Sequence, residues 1–340
     1  MKVLHTIDRL ETGGAERVFI NITALLAGRD ISTGVLLFVQ GGPLEKELDT
    51  RLQLHVLHRS NKFSPVTLYR AHKICCGYDI VHAHLRHVYA YLRLAQLLFN
   101  GRYKLILHDH AAVTTDVPVR LKGLFRPRYY IGVNKEQTEW AANLIGIDRK
   151  NIFLLENTVA VKINETPVQR DTKKAIMIAN IRRVKNIGFA IDLCKRMGWE
   201  LDIYGNIIEP DYYEELIALA GNDSGCRIIS GVTEFTGIYS RYSLAIHCSP
   251  KETGPLVLIE YLAAGLPFIA FKTGSAAGAI AKYIPQLFMN DFVIGNWARR
   301  IPEILNDTGL PAKMQVLYKE NFNPDNYIGK CLEIYRNVHS

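Results

Sequence analysis

Two glutamates and a cluster of cations are where this sequence could do chemistry. The segment Ser249-Pro250-Lys251-Glu252-Thr253-Gly254-Pro255-Leu256-Val257-Leu258-Ile259-Glu260 sets two acids apart with seven residues between them. Glu252 falls in a Gly/Pro loop and Glu260 past the first turn of the helix that follows, so helical spacing does not decide whether they converge. The loop at Thr253–Leu256 offers backbone N–H groups at the helix start, although Pro255 supplies none. Glu260 stands among Leu258, Ile259, Tyr261 and Leu262, where a buried carboxylate is costly without a partner. A ribose diol would serve, and so would a neighbouring Arg or Lys.

Ala179-Asn180-Ile181-Arg182-Arg183-Val184-Lys185-Asn186 puts three cations at a strand–helix junction, where the helix dipole already favours an anion. Arg grips phosphate oxygens in pairs and Lys acts as a point charge. Phosphate binding is the expectation here, against a solvated basic turn. Thr12-Gly13-Gly14-Ala15-Glu16 lies between another strand and helix. Its paired glycines let backbone N–H groups come close to a ligand, and a helix start favours a phosphate or other anion. A tight turn accounts for the glycines equally well. The pattern is not G-x-G-x-x-G, so a nicotinamide-type dinucleotide is poorly supported. His82-Ala83-His84 and His108-Asp109-His110 close two strands, each pair on one strand face. Zinc needs three or four converging ligands. Nothing in the spacing brings the pairs together, so we expect hydrogen-bonding and structural imidazoles and no metal.

The elements that position these residues alternate. Strand patterns fall at 2–7, 33–39, 52–57, 79–83, 104–108, 129–133 and 151–155, then at 175–180, 200–204, 226–229, 244–248 and 267–271. Amphipathic stretches such as 14–28, 187–197, 211–220 and 256–264 lie between them. Alternation of this kind predicts parallel sheets covered by helices, here two doubly wound Rossmann-like α/β domains in succession. The polar run Asn164-Glu165-Thr166-Pro167 marks the break, giving domains at 1–160 and 161–322. Residues 323–340 read as a terminal helix capped by Asp325 or Asn323, with Ile328, Leu332 and Tyr335 on one face. Ligands of such sheets bind beyond the carboxyl ends of the strands, so a cleft between the domains is the expected site.

The composition fits a globular protein. The 340 residues are 48% hydrophobic and 22% charged, which excludes disordered, collagen-like and disulfide-scaffold classes. No apolar run approaches the ~20 residues of a membrane span, and the first residues do not read as a signal peptide. The six cysteines form no C-x-x-C pair, and a reducing cytoplasm is expected. Of the net charge of +8, residues 1–160 carry 21 Lys and Arg against 14 Asp and Glu.

The motifs together resemble those of retaining, nucleotide-sugar-dependent glycosyltransferases of the GT-B fold, family 4 (group 1), over nearly the whole chain. Glu252 to Pro267 is similar to the family's E-x7-E block and its A-A-G-x-P turn; Asn180–Asn186 is similar to its N-L-R-P-V-K-N block, with Arg183 where proline is common. Gly13-Gly14-Ala15-Glu16 resembles its G-G-A-E loop, and Glu156-Asn157-Thr158-Val159 its N-G-V turn with Thr158 for glycine. The resemblance implies that Arg182 and Lys185 hold the donor diphosphate, Glu260 the ribose, and Glu252 the transferred sugar. Backbone groups at Gly254, Leu256 and Val257, next to Pro255, would contact sugar and phosphate. His110 would lie near the reaction centre, and Gly13 and Gly14 near the phosphates or acceptor. It also implies a terminal helix that crosses back to the N-terminal domain. The family often carries an acid where Thr273–Gly278 here has glycine, and a Ser where Asn134 stands.

The resemblance implies no cofactor beyond the nucleoside-diphosphate sugar as co-substrate, and no metal. The N-terminal half would recognise the acceptor. Arg120, Lys122, Arg126 and Arg128, interleaved with Val117, Val119, Leu121, Leu124 and Phe125, suit an anionic membrane surface or a lipid-linked or phosphorylated glycan acceptor. The expectation is a cytoplasmic enzyme, peripheral to the membrane, that builds a surface polysaccharide, lipopolysaccharide or glycolipid. A sugar phosphorylase or nucleotide-sugar epimerase on the same architecture is the enzymatic alternative. A basic nucleic-acid-binding protein is a further one, but no helix-turn-helix, zinc finger or RNP-like motif supports it.

Overall fold

The computed structural model describes residues 1–29, 31–61, 64–159, 173–221, 225–232, 235 and 237–340. The chain divides into two compact units, Met1–Thr158 with Pro324–Ser340, and Val159–Asn323. The polar run Asn164–Pro167 lies outside the described residues.

The first unit follows the alternation of its apolar runs: β1 (Lys2–Ile7), α1 (Gly14–Ala27), β2 (Ser32–Leu37), β3 (Gln53–Val56), α2 (Pro65–Cys75), β4 (Ile80–His84), α3 (Arg86–Leu98), β5 (Lys104–Asp109), β6 (Tyr129–Gly132), α4 (Lys135–Trp140) and β7 (Ile152–Leu154). The strands form one parallel sheet in the order β3-β2-β1-β4-β5-β6-β7. Central strands such as β4 are buried along their length, as a sheet covered on both faces requires. Helix starts are set locally: Ser64 Oγ accepts from the Thr67 amide and Pro65 opens α2.

The second unit repeats the scheme with β8 (Lys174–Ile178), α5 (Ile187–Met197), β9 (Glu200–Tyr204), α6 (Pro210–Ala220), β10 (Cys226–Ile229), β11 (Leu244–His247), α7 (Leu256–Ala264), β12 (Phe268–Phe271), α8 (Gly274–Ile280), β13 (Phe288–Met289), α9 (Ile294–Asn306) and α10 (Leu310–Asn321). Its parallel sheet runs β10-β9-β8-β11-β12-β13. Both units are thus doubly wound α/β sheets. The two-residue strand β13 is too short to leave a sequence pattern. No helix among the described residues is long and apolar enough to cross a membrane.

The last helix, α11 (Pro324–His339), belongs to the first unit. Its Tyr327, Ile328, Cys331, Ile334, Tyr335 and Val338 share a buried cluster with Val3, Ile80, Ile106 and Ile131, with Leu332 at the margin. The helix opens at Pro324, so Asp325 sits inside its first turn instead of capping it, and its carboxylate pairs with Arg29.

Beneath α11 the parallel register sets His5 beside His82 and His84 beside His108. The result is one hydrogen-bonded chain of imidazoles, with His5, His82, His84 and His108 buried and His110 partly buried. His110 Nε2 meets His84 Nδ1 at 3.1 Å, and His84 Nε2 meets His5 Nδ1 at 3.2 Å. The Tyr335 hydroxyl joins His5 Nε2 at 2.9 Å to His82 Nδ1 at 2.7 Å, and His82 Nε2 meets His108 Nδ1 at 3.0 Å. The pairs therefore converge, and three of these rings could gather ligand atoms within 4.8 Å. Yet His5, His82 and His84 spend both ring nitrogens on their neighbours, leaving only His108 Nε2 and His110 Nδ1 at the two ends outside the chain, and His82 and His84 stack at 8°, so their in-plane lone pairs run side by side. The chain reads as a hydrogen-bonded array.

Burial holds all five imidazoles neutral, with His5 and His110 pushed down to about 3 and the others well below their ordinary value. In the unfolded chain they ionise near 6.5. Below that value the unfolded state binds more protons than the folded one, so stability is complete above it and falls with pH. Each ring contributes a slope of up to about 1.4 kcal/mol per pH unit. Hydrogen exchange at pH 7.5 and 5.5 should show the first unit losing protection ahead of the second. Equal protection of the first unit at both values would contradict a neutral buried array.

Candidate active site

In the second unit the sheet reverses its winding between β8 and β11, which lie side by side while β9 and β12 flank them. Loops leaving the carboxyl ends of such a strand pair diverge and open a crevice. The loop after β8 tightens into a single 3-10 turn, Arg183–Lys185, and ends on Asn186, whose φ of 51° is left-handed. Asparagine tolerates that conformation better than most residues. The loop after β11 carries Glu252.

The two loops meet through side chains. Ser249 Oγ donates to the Val184 carbonyl at 3.0 Å, stapling one loop to the other. Lys185 Nζ donates to Glu252 Oε1 at 2.5 Å. The lysine is 23% and the glutamate 15% exposed, so the pair is mostly withdrawn from water. A third loop supports it from below: the Glu252 amide donates to Thr273 Oγ1 at 3.2 Å, and Thr273 Oγ1 bonds the Pro250 carbonyl at 3.3 Å. Gly274 completes the support. Its φ is +79°, and a Cβ there would lie 2.8 Å from Pro255 Cδ and 3.1 Å from the Glu252 carbonyl. Only glycine lets α8 start this close to the Glu252 loop.

The cations divide. Arg183 is drawn away to α6: its guanidinium binds Glu215 at 2.6 Å and Asp211 at 2.9 Å, and its amide donates to Glu209 at 2.9 Å. Those carboxylates raise its pKa, and Tyr212 lies under it. Arg182, exposed at the start of the turn, makes no side-chain hydrogen bond or ion pair among the described residues. Of the three cations, Lys185 is thus the one held against Glu252.

Glu260 sits half-buried on α7, one helix turn past the loop. The protein supplies a partner from an unforeseen direction: the Tyr239 hydroxyl donates to Glu260 Oε2 at 2.7 Å. Glu260 is therefore not the fully buried acid that its apolar neighbours imply. Pro255 is the residue before α7, preceded by Gly254, and the amides of Leu256 and Val257 open the helix. No carbonyl one turn back exists to accept from them. The turn at Gly265, φ +57°, closes α7 against Pro311 of α10.

In the first unit Gly13 precedes α1. The Glu16 carboxylate folds back over it, 2.2 Å from where a Cβ would stand, while the space before Gly14 is open. Burial raises the Glu16 pKa. His110 ends the imidazole chain on one side, its Nδ1 outside the chain, and His108 ends it on the other with a buried Nε2 that has no hydrogen-bond partner among the described residues. Arg120, Lys122, Arg126 and Arg128 are exposed along two single 3-10 turns, Val119–Leu121 and Gly123–Phe125. They form no helical edge. Val119 and Leu124 stand beside them, 82% and 72% exposed, while Leu121 is buried.

Sequence reasoning missed Tyr239, Thr273 and His247, whose Nε2 stands 3.8 Å from Glu252 Oε1. Of these only His247 carried a signal, its position at the carboxyl end of a strand.

Comparison with known proteins bears on the family and the fold. Residues 160–320 match the family described as Glycosyl transferases group 1. A D-inositol 3-phosphate glycosyltransferase of Salinispora arenicola is 27% identical over 131 residues, which cover 37% of this chain and 29% of that relative's length. A glycosyltransferase structure from Rickettsia africae superposes with a TM-score of 0.79 at 18% identity, over 99% of this chain and 98% of the other. Anabaena HepE in complex with UDP-glucose superposes at 0.82 with 16% identity, over 99% of each chain. The fold is the one these glycosyltransferase structures have, and residues 160–320 are similar to the group 1 glycosyltransferase family.

Proposed function

We propose that the chain is a retaining glycosyltransferase that moves a sugar from a nucleoside-diphosphate sugar to a hydroxyl acceptor. The observation that carries the reading is the Lys185–Glu252 pair at the crevice between β8 and β11. Breaking a sugar–phosphate bond builds positive charge on the sugar and negative charge on the departing diphosphate. A site for this needs fixed cations at the phosphates and an acid toward the sugar. Lys185 and Arg182 supply the first and Glu252 the second, with no metal ion needed at the phosphates. Glu260, oriented by Tyr239, accepts from the ribose hydroxyls, and the amides at Gly254, Leu256 and Val257 face sugar and phosphate. His110 offers a ring nitrogen to the transferred sugar, and the Gly13–Gly14 backbone comes near phosphate or acceptor.

Support for the donor class comes from the relatives, among them HepE in complex with UDP-glucose. For the acceptor we favour a lipid-linked or polysaccharide intermediate of cell-surface glycan synthesis, handled in the cytoplasm at the membrane face. The exposed cations Arg120, Lys122, Arg126 and Arg128 beside Val119 and Leu124 favour an anionic surface.

A panel of UDP-, GDP- and ADP-sugars, read by thermal unfolding, identifies the donor because a ligand of the native state raises its stability. No protection by any of them would sink the reading. With the donor known, Lys185→Ala should lower transfer by about 100-fold or more at unchanged circular dichroism; near-normal turnover would remove the phosphate assignment. Glu260→Ala should instead weaken donor binding roughly tenfold with turnover at saturation largely kept. Unchanged donor affinity by calorimetry would refute the ribose role.

A further inference from the structure

Below Glu252 lies a group that the proposed chemistry leaves unused. His247, the last residue of β11, is buried at 2% exposure. Neither of its ring nitrogens has a hydrogen-bond partner among the described residues. Its Nε2 stands 3.8 Å from Glu252 Oε1, the same oxygen that accepts from Lys185 Nζ. At that distance no hydrogen bond is made. A neutral imidazole nevertheless carries an N–H on one nitrogen at all times, and a buried N–H without an acceptor is costly. Such orphans are few in native proteins, and each calls for a reason.

Burial, with the Lys185 ammonium acting in the same direction, outweighs the opposing Glu252 carboxylate and holds the imidazole down to about 4. At neutral pH the ring is an uncharged donor, not an ion-pair partner. Glu252 in turn depends on Lys185 while the crevice holds no ligand. A diphosphate carries more negative charge than one carboxylate and draws the ammonium to itself. A carboxylate withdrawn from water cannot be left without a partner. His247 Nε2 lies 3.8 Å from its Oε1, well under 1 Å beyond the usual hydrogen-bond range of up to about 3.2 Å, a gap of the size that rotating the carboxylate covers.

We propose that His247 is a positioning residue for Glu252: when a diphosphate takes Lys185, the carboxylate turns onto His247 Nε2–H and is held toward the transferred sugar. This rests on the reading of the crevice as a nucleotide-sugar site. The hand-over itself is testable without any ligand, because Lys185→Met removes the ammonium directly. In histidine-labelled protein followed by NMR, His247 should titrate at least one pH unit higher in Lys185→Met than in the unsubstituted chain. Its ring N–H should move downfield. Adding Glu252→Gln should cancel the rise. An unchanged His247, or a rise that survives Glu252→Gln, would overturn the proposal.

Turnover gives the second readout. With the nucleotide sugar that protects best in the panel, His247→Leu should lower kcat/KM roughly tenfold, while the affinity for the matching nucleoside diphosphate stays unchanged. His247→Gln, which keeps an N–H near the same place, should restore most of the loss. Equal losses in both variants would mean that the ring only packs. Failure of every nucleotide sugar to bind would refute the reading of the site, whereas the NMR titration would still decide whether His247 receives Glu252.

Discussion

The second unit is organised around an ion pair that is only partly solvated. Lys185 and Glu252 come from loops on neighbouring strands of a parallel sheet, and each is mostly hidden from water. Charges in that position persist only with a partner, so the surrounding structure must fix both loops. The Ser249 staple, the Thr273 hydroxyl and the side-chain-free approach of Gly274 do so. The result is a cation held in place at the carboxyl edge of the sheet.

Much of this was legible in the sequence. Runs such as Ile80–His84 or Leu244–His247 alternate with amphipathic stretches, and that alternation leaves little freedom beyond a doubly wound parallel sheet. Chemistry placed directly after strands is then chemistry at the crevice, which is why Asn180–Asn186 and Ser249–Glu260 could be singled out. What stayed hidden was partnership across elements. The three cations of the first motif look alike in sequence. Arg183 is removed from the site only because α6 presents Asp211 and Glu215 to it. Glu260 seemed to need a ligand or a cation, and a phenol from the turn at Tyr239 answers part of that need.

The histidines show the same limit in the first unit. A spacing of two puts His82 with His84, and His108 with His110, on shared faces. It says nothing of register between strands. Parallel pairing of β1, β4 and β5 aligns those faces, and α11 lays Tyr335 across them, some 250 residues away in sequence from His82. A terminal helix that looks peripheral in the sequence thus closes a polar network in the core of the first unit. His110, at one end of that network, is held in place through His84. The basic loop of Arg120–Arg128 illustrates the reverse case: composition exposed its charge, but two short turns, not a helix, display it.

The most direct measurement is a crystal structure of the chain with the nucleoside diphosphate of its best-protecting donor. The account predicts that Lys185 Nζ leaves Glu252 and lies within about 3 Å of a phosphate oxygen, with Arg182 turned toward the same group. A bound diphosphate elsewhere on the molecule, with Lys185 still on Glu252, would contradict it.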